Sequence, residues 1–156
     1  MIIDEFLKCR KQCAKAVNAA NATLDMIKRS FVNREKQTIL SLYKSVVRPK
    51  LEYCIQAWRP HLAKYIELME RVQHRATKLI SSLRKETYEN RVKLLGLTTL
   101  ETRRLRGDLI EAFKIMKEFE DVSWNKFFKM SSSKQLRGHS LKLYKPSFRL
   151  DIRKYS

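Results

Sequence analysis

The sequence predicts an all-α protein: a compact bundle of about five to six helices followed by an extended basic C-terminal arm. Three observations carry that expectation. Only three glycines and three prolines interrupt 156 residues, so long segments run without a breaker. Apolar residues recur at steps of three and four through most of those segments. A hydrophobic content of 44% is enough to furnish a packed core.

The first helix is expected over residues 12–30, with Ala16, Ala20, Leu24 and Ile27 on one side. A second, over 34–47, carries Ile39, Leu42, Tyr43, Val46 and Val47. Pro49 should stop it, because proline disfavours helical geometry in the residue before it. Pro49 then suits the first turn of a short helix reaching residue 57, where its missing N–H is no loss. The stretch LYKSVVRPKLEYCIQAWRP, residues 42–60, thus reads as a corner packed by Tyr53 and Trp58, with Cys54 a buried small apolar residue.

The most regular helix is expected over 61–80, with Leu62, Ile66, Leu68, Met69, Val72, Ala76, Leu79 and Ile80 on one side. A shorter one over 86–95 should end at Gly96. Thr98-Thr99-Leu100-Glu101 matches a capping box, in which the Thr98 hydroxyl and the Glu101 carboxylate each satisfy a free backbone N–H. The helix it opens should reach residue 120, with Leu105, Leu109, Ala112, Phe113, Met116 and Phe119 as its apolar face. Residues 1–121 are therefore expected to form the bundle. Residues 122–156 are expected to be largely extended and basic, with a helical turn or two within 123–130 and a weak strand near 141–144.

The charge balance narrows the function. Lys and Arg number 34 against 16 Asp and Glu, a formal net charge of +18. Such an imbalance costs self-repulsion in a small domain and points to a polyanionic partner. The basic residues are also patterned. Lys64, Arg71, Arg75 and Lys78 share one side of the 61–80 helix, with Glu67 placed to pair with Arg71. Arg103, Arg106, Lys114 and Lys117 form a stripe on the next long helix. Arg137 and Lys142 contribute from the arm, and Arg48 and Arg59 are further candidate phosphate contacts. Contacts of this kind position a duplex without reading its bases.

Catalytic chemistry finds no support. The aspartates form no close pair of the sort that metal-assisted phosphoryl transfer requires. Cys9 and Cys13 are four apart, but no histidine is near enough in sequence to complete a zinc site. His61, His74 and His139 have no evident nucleophile partner, His74 reads as a solvated residue, and there is no glycine-rich phosphate loop. No cofactor, metal or small-molecule substrate is expected. Three cysteines, an odd number, suit a reducing compartment. Asp4 and Glu5 stand where a signal peptide would be basic, and no apolar run is long enough for a membrane span. An intracellular protein, nuclear or cytoplasmic, is expected.

Four segments in order also carry a family likeness: LYKSVVRPKLEYCIQAWRP, ELMERVQHRATKLI, YENRVKLLGLTTLETRRLRGDLIEAFKIMK and LRGHSLKL. Together they resemble the C-terminal part of the reverse transcriptase of LINE-type (non-LTR) retrotransposons, of the jockey and chicken-repeat kind, over roughly residues 12–156. The resemblance implies the helical thumb that follows the catalytic palm of an RNA-directed DNA polymerase and grips the template–primer duplex. It implies RNA, DNA or an RNA–DNA hybrid as partner, and the palm as a protein partner. The family's Phe/Tyr-x-Asp-Asp box lies upstream of this region and is absent here, so this chain alone is not expected to be an enzyme. MIIDEFLKCR departs from the family's usual lead-in, and Tyr65 stands where an acidic residue is expected. The chain is accordingly expected to be a fragment of such an element or a protein derived from one. The alternative reading is a protein-interaction module, or an orphan fragment that needs the palm to function.

Overall fold

The computed structural model describes residues 9–58, 60–132 and 142–147. They are all-α, as the sequence predicts. The α-helices are α1 (Arg10–Ser30), α2 (Lys36–Leu42), α3 (Arg48–Glu52), α4 (Ile55–Trp58), α5 (Ala63–Lys78), α6 (Tyr88–Leu94) and α7 (Leu100–Met116). The chain divides into two compact units, Met1–Arg106 and Gly107–Ser156.

The first unit is built around α1 and α5. Cys13, Ala16, Val17, Ala20, Leu24 and Ile27 of α1 are buried, and so are Met69, Val72 and Ala76 of α5. Ala16 and Ala20 on α1 are small enough to permit close helix packing, and the larger Leu24 and Ile27 are buried toward its C-terminus. Ile80, just beyond α5, is buried too, whereas Leu62, ahead of its first turn, is exposed. Cys13 lies in this core beside Cys9, and burial pushes its thiol up to about 12.

Pro49 does not end a helix. A π-helical turn, Tyr43–Val47, joins α2 to α3 directly, and Pro49 lies in the first turn of α3. The Arg48 N–H bonds to the Tyr43 carbonyl, five residues back. The wider π turn moves carbonyls away from the proline ring, which in an α-helix would clash with the carbonyl four residues before it. The Ser45 hydroxyl also donates to the Ser41 carbonyl at 2.8 Å. Proline's penalty is thus absorbed by one π turn, and the helical path continues to Glu52.

The corner falls instead at Tyr53 and Cys54. Cys54 takes the left-handed conformation, φ 51°, and the Trp58 indole donates to the Tyr53 carbonyl at 2.8 Å. Leu51, Ile55, Trp58 and Pro60 are buried beneath the corner. Trp58 therefore packs as expected, but Tyr53 is 73% exposed and Cys54 is exposed as well. The reversal at Cys54 turns both side chains outward, which sequence periodicity cannot register. Arg59 lies outside the described residues.

α6 is capped by Thr87, whose hydroxyl accepts from the Asn90 N–H. It ends in a Schellman motif: Gly96, at φ 59°, and Leu97 donate to the Lys93 and Val92 carbonyls. α7 then begins one residue later than the capping box predicts. Thr99, not Thr98, accepts from the Thr102 N–H at 3.1 Å. The Leu100 N–H donates across the fold to Glu70 Oε2 of α5 at 2.9 Å. That tertiary bond fixes the register of two adjacent threonines that are equivalent in sequence.

In the first unit α7 buries Leu100 and Arg104. The expected apolar face of α7 is not a core face. Leu105, Leu109 and Phe113 are all exposed, Leu109 by 72%. Leu100 and Arg104, four apart, lie on another side of the helix from these residues, and that side is the one that packs.

The second unit holds the rest of α7, a 3-10 turn at Trp124–Lys126 and a short antiparallel pairing. α7 stops short of residue 120. Glu118, at φ 57°, and Phe119 donate to the Ile115 and Lys114 carbonyls, again in the Schellman pattern. Phe119 is left 74% exposed. Ser131 donates to the Lys142 carbonyl and Tyr144 to the Lys129 carbonyl, framing an isolated bridge between Met130 and Leu143. Of the weak strand expected near 141–144, the described residues show only this single bridge at Leu143, and Leu141 lies outside them.

Glu118 occupies a position that favours glycine, because a Cβ crowds the backbone at positive φ. Glu118→Gly should stabilise the end of α7 by about 1 kcal/mol, less what the freer unfolded chain takes back. Slower hydrogen exchange at the Phe119 amide is the expected readout; faster exchange would contradict it.

Candidate nucleic-acid interface

The α5 stripe exists as a geometric feature. Lys64, Arg71, Arg75 and Lys78, spaced by seven, four and three residues, share one side of the helix and are all exposed. Their engagements differ. Lys64 Nζ lies 5.0 Å from the centre of the Tyr65 ring. Arg71 pairs with Glu67 at 2.9 Å, the intrahelical pair the sequence predicts. Arg75 reaches α1, donating to Asn21 at 2.5 Å and to Asp25 at 2.9 Å. It ties two helices together while staying half exposed. Exposed pairs of this kind add little stability and leave the cations available to a stronger anion.

The second stripe is less uniform. Arg103 donates to Glu52 at 2.6 Å, and Arg48 lies 3.8 Å from the same carboxylate. Arg106 is exposed. In the second unit, Lys114 is within salt-bridge distance of Glu111 and Glu120, and Lys117 sits 6.0 Å from the centre of the Phe113 ring. Lys142 is half-buried. Arg137 lies outside the described residues.

A feature not legible in the sequence lies at the C-terminal ends of α1 and α5. Lys28, Arg34, Arg75, Lys78 and Arg84 line a cleft of about 330 Å³, together with Leu24, Asp25, Leu79 and Ser81. Arg34 Nη2 donates to the Lys28 carbonyl at 3.2 Å, and the Ser81 N–H donates to the Arg34 carbonyl at 3.3 Å. Arg34 Nε is buried and meets no hydrogen-bond acceptor among the described residues. Arg34 and Arg84 belong to connecting segments, so no periodicity marks them out as a group with α5.

Beneath α5 lies a polar network that holds these elements in register. The Tyr43 hydroxyl donates to Gln73 Oε1 at 2.6 Å. Gln73 Nε2 is within hydrogen-bond distance of Glu70 Oε1 (3.2 Å), the Tyr88 hydroxyl (2.9 Å) and the Thr98 carbonyl (2.9 Å). Tyr88 in turn donates to Glu70. Burial pushes the Tyr43 and Tyr88 hydroxyls well above their usual range, so both remain donors.

Arg91 is buried beside this network. It donates to the Thr77 hydroxyl at 3.1 Å and to the Glu86 carbonyl at 2.5 Å, and its Nη2 lies 3.4 Å from His74 Nε2. His74 stacks near the Tyr88 ring, centroids 4.8 Å apart. Desolvation first, and then the nearby charges of Arg91 and Lys78, hold its imidazole below the usual 6.5. The unfolded chain therefore takes up this proton before the folded one does. The His74 contribution to stability should be constant at higher pH and decline as pH falls through 6.5 toward the lower folded value. In urea titrations His74→Gln should flatten that decline; an unchanged pH profile would contradict the assignment.

No group of three or more His, Cys, Asp or Glu is arranged to hold a metal ion among the described residues. None of their helices is long and apolar enough to cross a membrane. No family model, curated protein or solved structure matches the chain.

Proposed function

We propose that this chain is a non-catalytic nucleic-acid-binding module that grips the sugar–phosphate backbone of a duplex or hybrid with basic helix faces. The observation that carries the reading is the α5 stripe of Lys64, Arg71, Arg75 and Lys78, exposed on one side of a helix whose other side is core. A net charge of +18 supplies the long-range attraction. Arg103 and Arg106 extend the basic surface, and Lys114, Lys117, Arg137 and Lys142 belong to the same proposal as flanking contacts. The likeness to a retrotransposon reverse-transcriptase thumb agrees with this reading. An RNA–DNA hybrid would be met through its backbone and 2′-hydroxyls rather than its base edges.

Filter binding with duplex DNA and with hybrid tests the reading. Dissociation constants tighter than about 1 μM at about 50 mM salt, with little dependence on sequence, are expected. Binding weaker than that to every nucleic acid would overturn it.

A second reading is favoured by one observation. Leu109, Ile110 and Phe113 leave the apolar face of α7 exposed in the second unit, which suits a protein partner such as a polymerase palm. Under that reading the isolated chain should self-associate or melt without cooperativity in size-exclusion and thermal experiments free of nucleic acid.

A further inference from the structure

The cleft at the ends of α1 and α5 differs in kind from the open stripes. Among the described residues it gathers five cationic side chains, Lys28, Arg34, Arg75, Lys78 and Arg84, around one carboxylate, Asp25, which Arg75 already engages. Lys28, Arg75 and Lys78 sit in the last turns of their helices, where a cation offsets the negative end of the helix dipole. Arg34 and Arg84 belong to neither helix, so the concentration of charge exceeds what the dipoles call for. The buried Arg34 Nε, with no acceptor among the described residues, is a donor whose desolvation goes uncompensated. An anion in the cleft would relieve both the mutual repulsion and that unmet donor.

Size and shape restrict the anion. A volume of about 330 Å³ is at the small end of ligand-sized cavities and holds one nucleotide-sized group. A closed duplex carries its phosphates on the convex ridges beside its grooves, and a concave cleft of this size cannot receive them side by side. An unpaired strand can feed in a single phosphate. Leu24 and Leu79 offer the attached sugar or base an apolar wall. Among the described residues no aromatic side chain lines the cleft, so base stacking, and with it base preference, should be weak.

We propose that this cleft captures one phosphate of an unpaired nucleic-acid strand, so that the protein engages single-stranded overhangs or strand ends beside the duplex that α5 grips. The inference rests on the nucleic-acid reading for its partner; it shares Arg75 and Lys78 with the α5 stripe and adds Lys28, Arg34 and Arg84, which that stripe does not use.

The test compares the full-length chain on a blunt duplex and on the same duplex carrying a single-stranded overhang. The overhang should bind at least about tenfold more tightly at low salt. The double substitution Lys28→Gln with Arg84→Gln should bring the ratio to about one. Both side chains are exposed, so folding should survive, and circular dichroism checks it. Substituting Lys64→Gln and Arg106→Gln, outside the cleft, should weaken both substrates and leave the ratio unchanged. Inorganic phosphate should erode the overhang advantage first.

Equal binding of the two substrates by the unsubstituted chain overturns the cleft proposal alone. An overhang that binds while the blunt duplex does not would overturn the duplex reading and keep the cleft. Failure of both removes both. Tight binding of a free mononucleotide, with no gain from an overhang, would move the ligand from a strand to a free nucleotide and overturn the strand assignment.

Discussion

Gln73→Ala should lower the unfolding free energy by about 3–5 kcal/mol, a large fraction of what holds a domain of this size together. Gln73 is a fully buried polar side chain at the junction of four elements. Truncating it leaves the buried Tyr43 hydroxyl without its acceptor and the Thr98 carbonyl without its donor. The orphaned Tyr43 hydroxyl costs about 1–3 kcal/mol, and the vacated volume adds to that, while the Thr98 carbonyl, on an exposed residue, turns to water at little cost. Tyr43→Phe should be milder, because it removes the hydroxyl along with its need for a partner. The double mutant should show a coupling of about 1 kcal/mol or more, since both residues serve one bond. A loss below about 1 kcal/mol in urea denaturation of Gln73→Ala would show that the network is ornamental.

Neutralising the part of the α5 stripe that does not tie α5 to α1 should weaken duplex binding by about two to three orders of magnitude at about 50 mM salt. The triple substitution Lys64→Gln, Arg71→Gln and Lys78→Gln removes three candidate phosphate contacts. It leaves Arg75, which fastens α5 to α1 through Asp25 and Asn21. Losing three contacts should also reduce the salt slope by about three. Thermal stability should hardly change, because these side chains are exposed and the Arg71–Glu67 pair is worth only about 0.3–0.5 kcal/mol. A variant that melts normally and binds normally would exclude this face as the interface.

Long segments with regular periodicity were legible in the sequence. α1 buries the residues its spacing selects. Of those selected on 61–80, Met69, Val72, Ala76 and Ile80 are buried, while Ile66, Leu68 and Leu79 are half-buried and Leu62 is exposed. Gly96 ends α6 because the left-handed conformation there suits glycine. The α5 basic stripe follows from the same periodicity, since the side of a helix that avoids the core is as regular as the side that meets it. What escaped depends on partners distant in sequence. Glu70 chooses Thr99 over Thr98 as the cap of α7, although both threonines look equally fit. A π turn absorbs Pro49 without breaking the helix, and the left-handed Cys54 places the corner five residues after Pro49, where the proline rule would have put it. The face of α7 is periodic, but periodicity says only that a face is apolar, not that it is covered. The cleft was hidden for a related reason: two of its five cations lie in connecting segments, where no spacing rule applies.

The central claim, a backbone grip by clustered cations, is tested most directly by the salt dependence of duplex affinity. With six to eight phosphates neutralised, log K against log salt should slope by about −5 to −7, a loss of about 10³- to 10⁴-fold between 50 and 200 mM. A slope shallower than about −2 would contradict the claim, whatever the affinity at low salt.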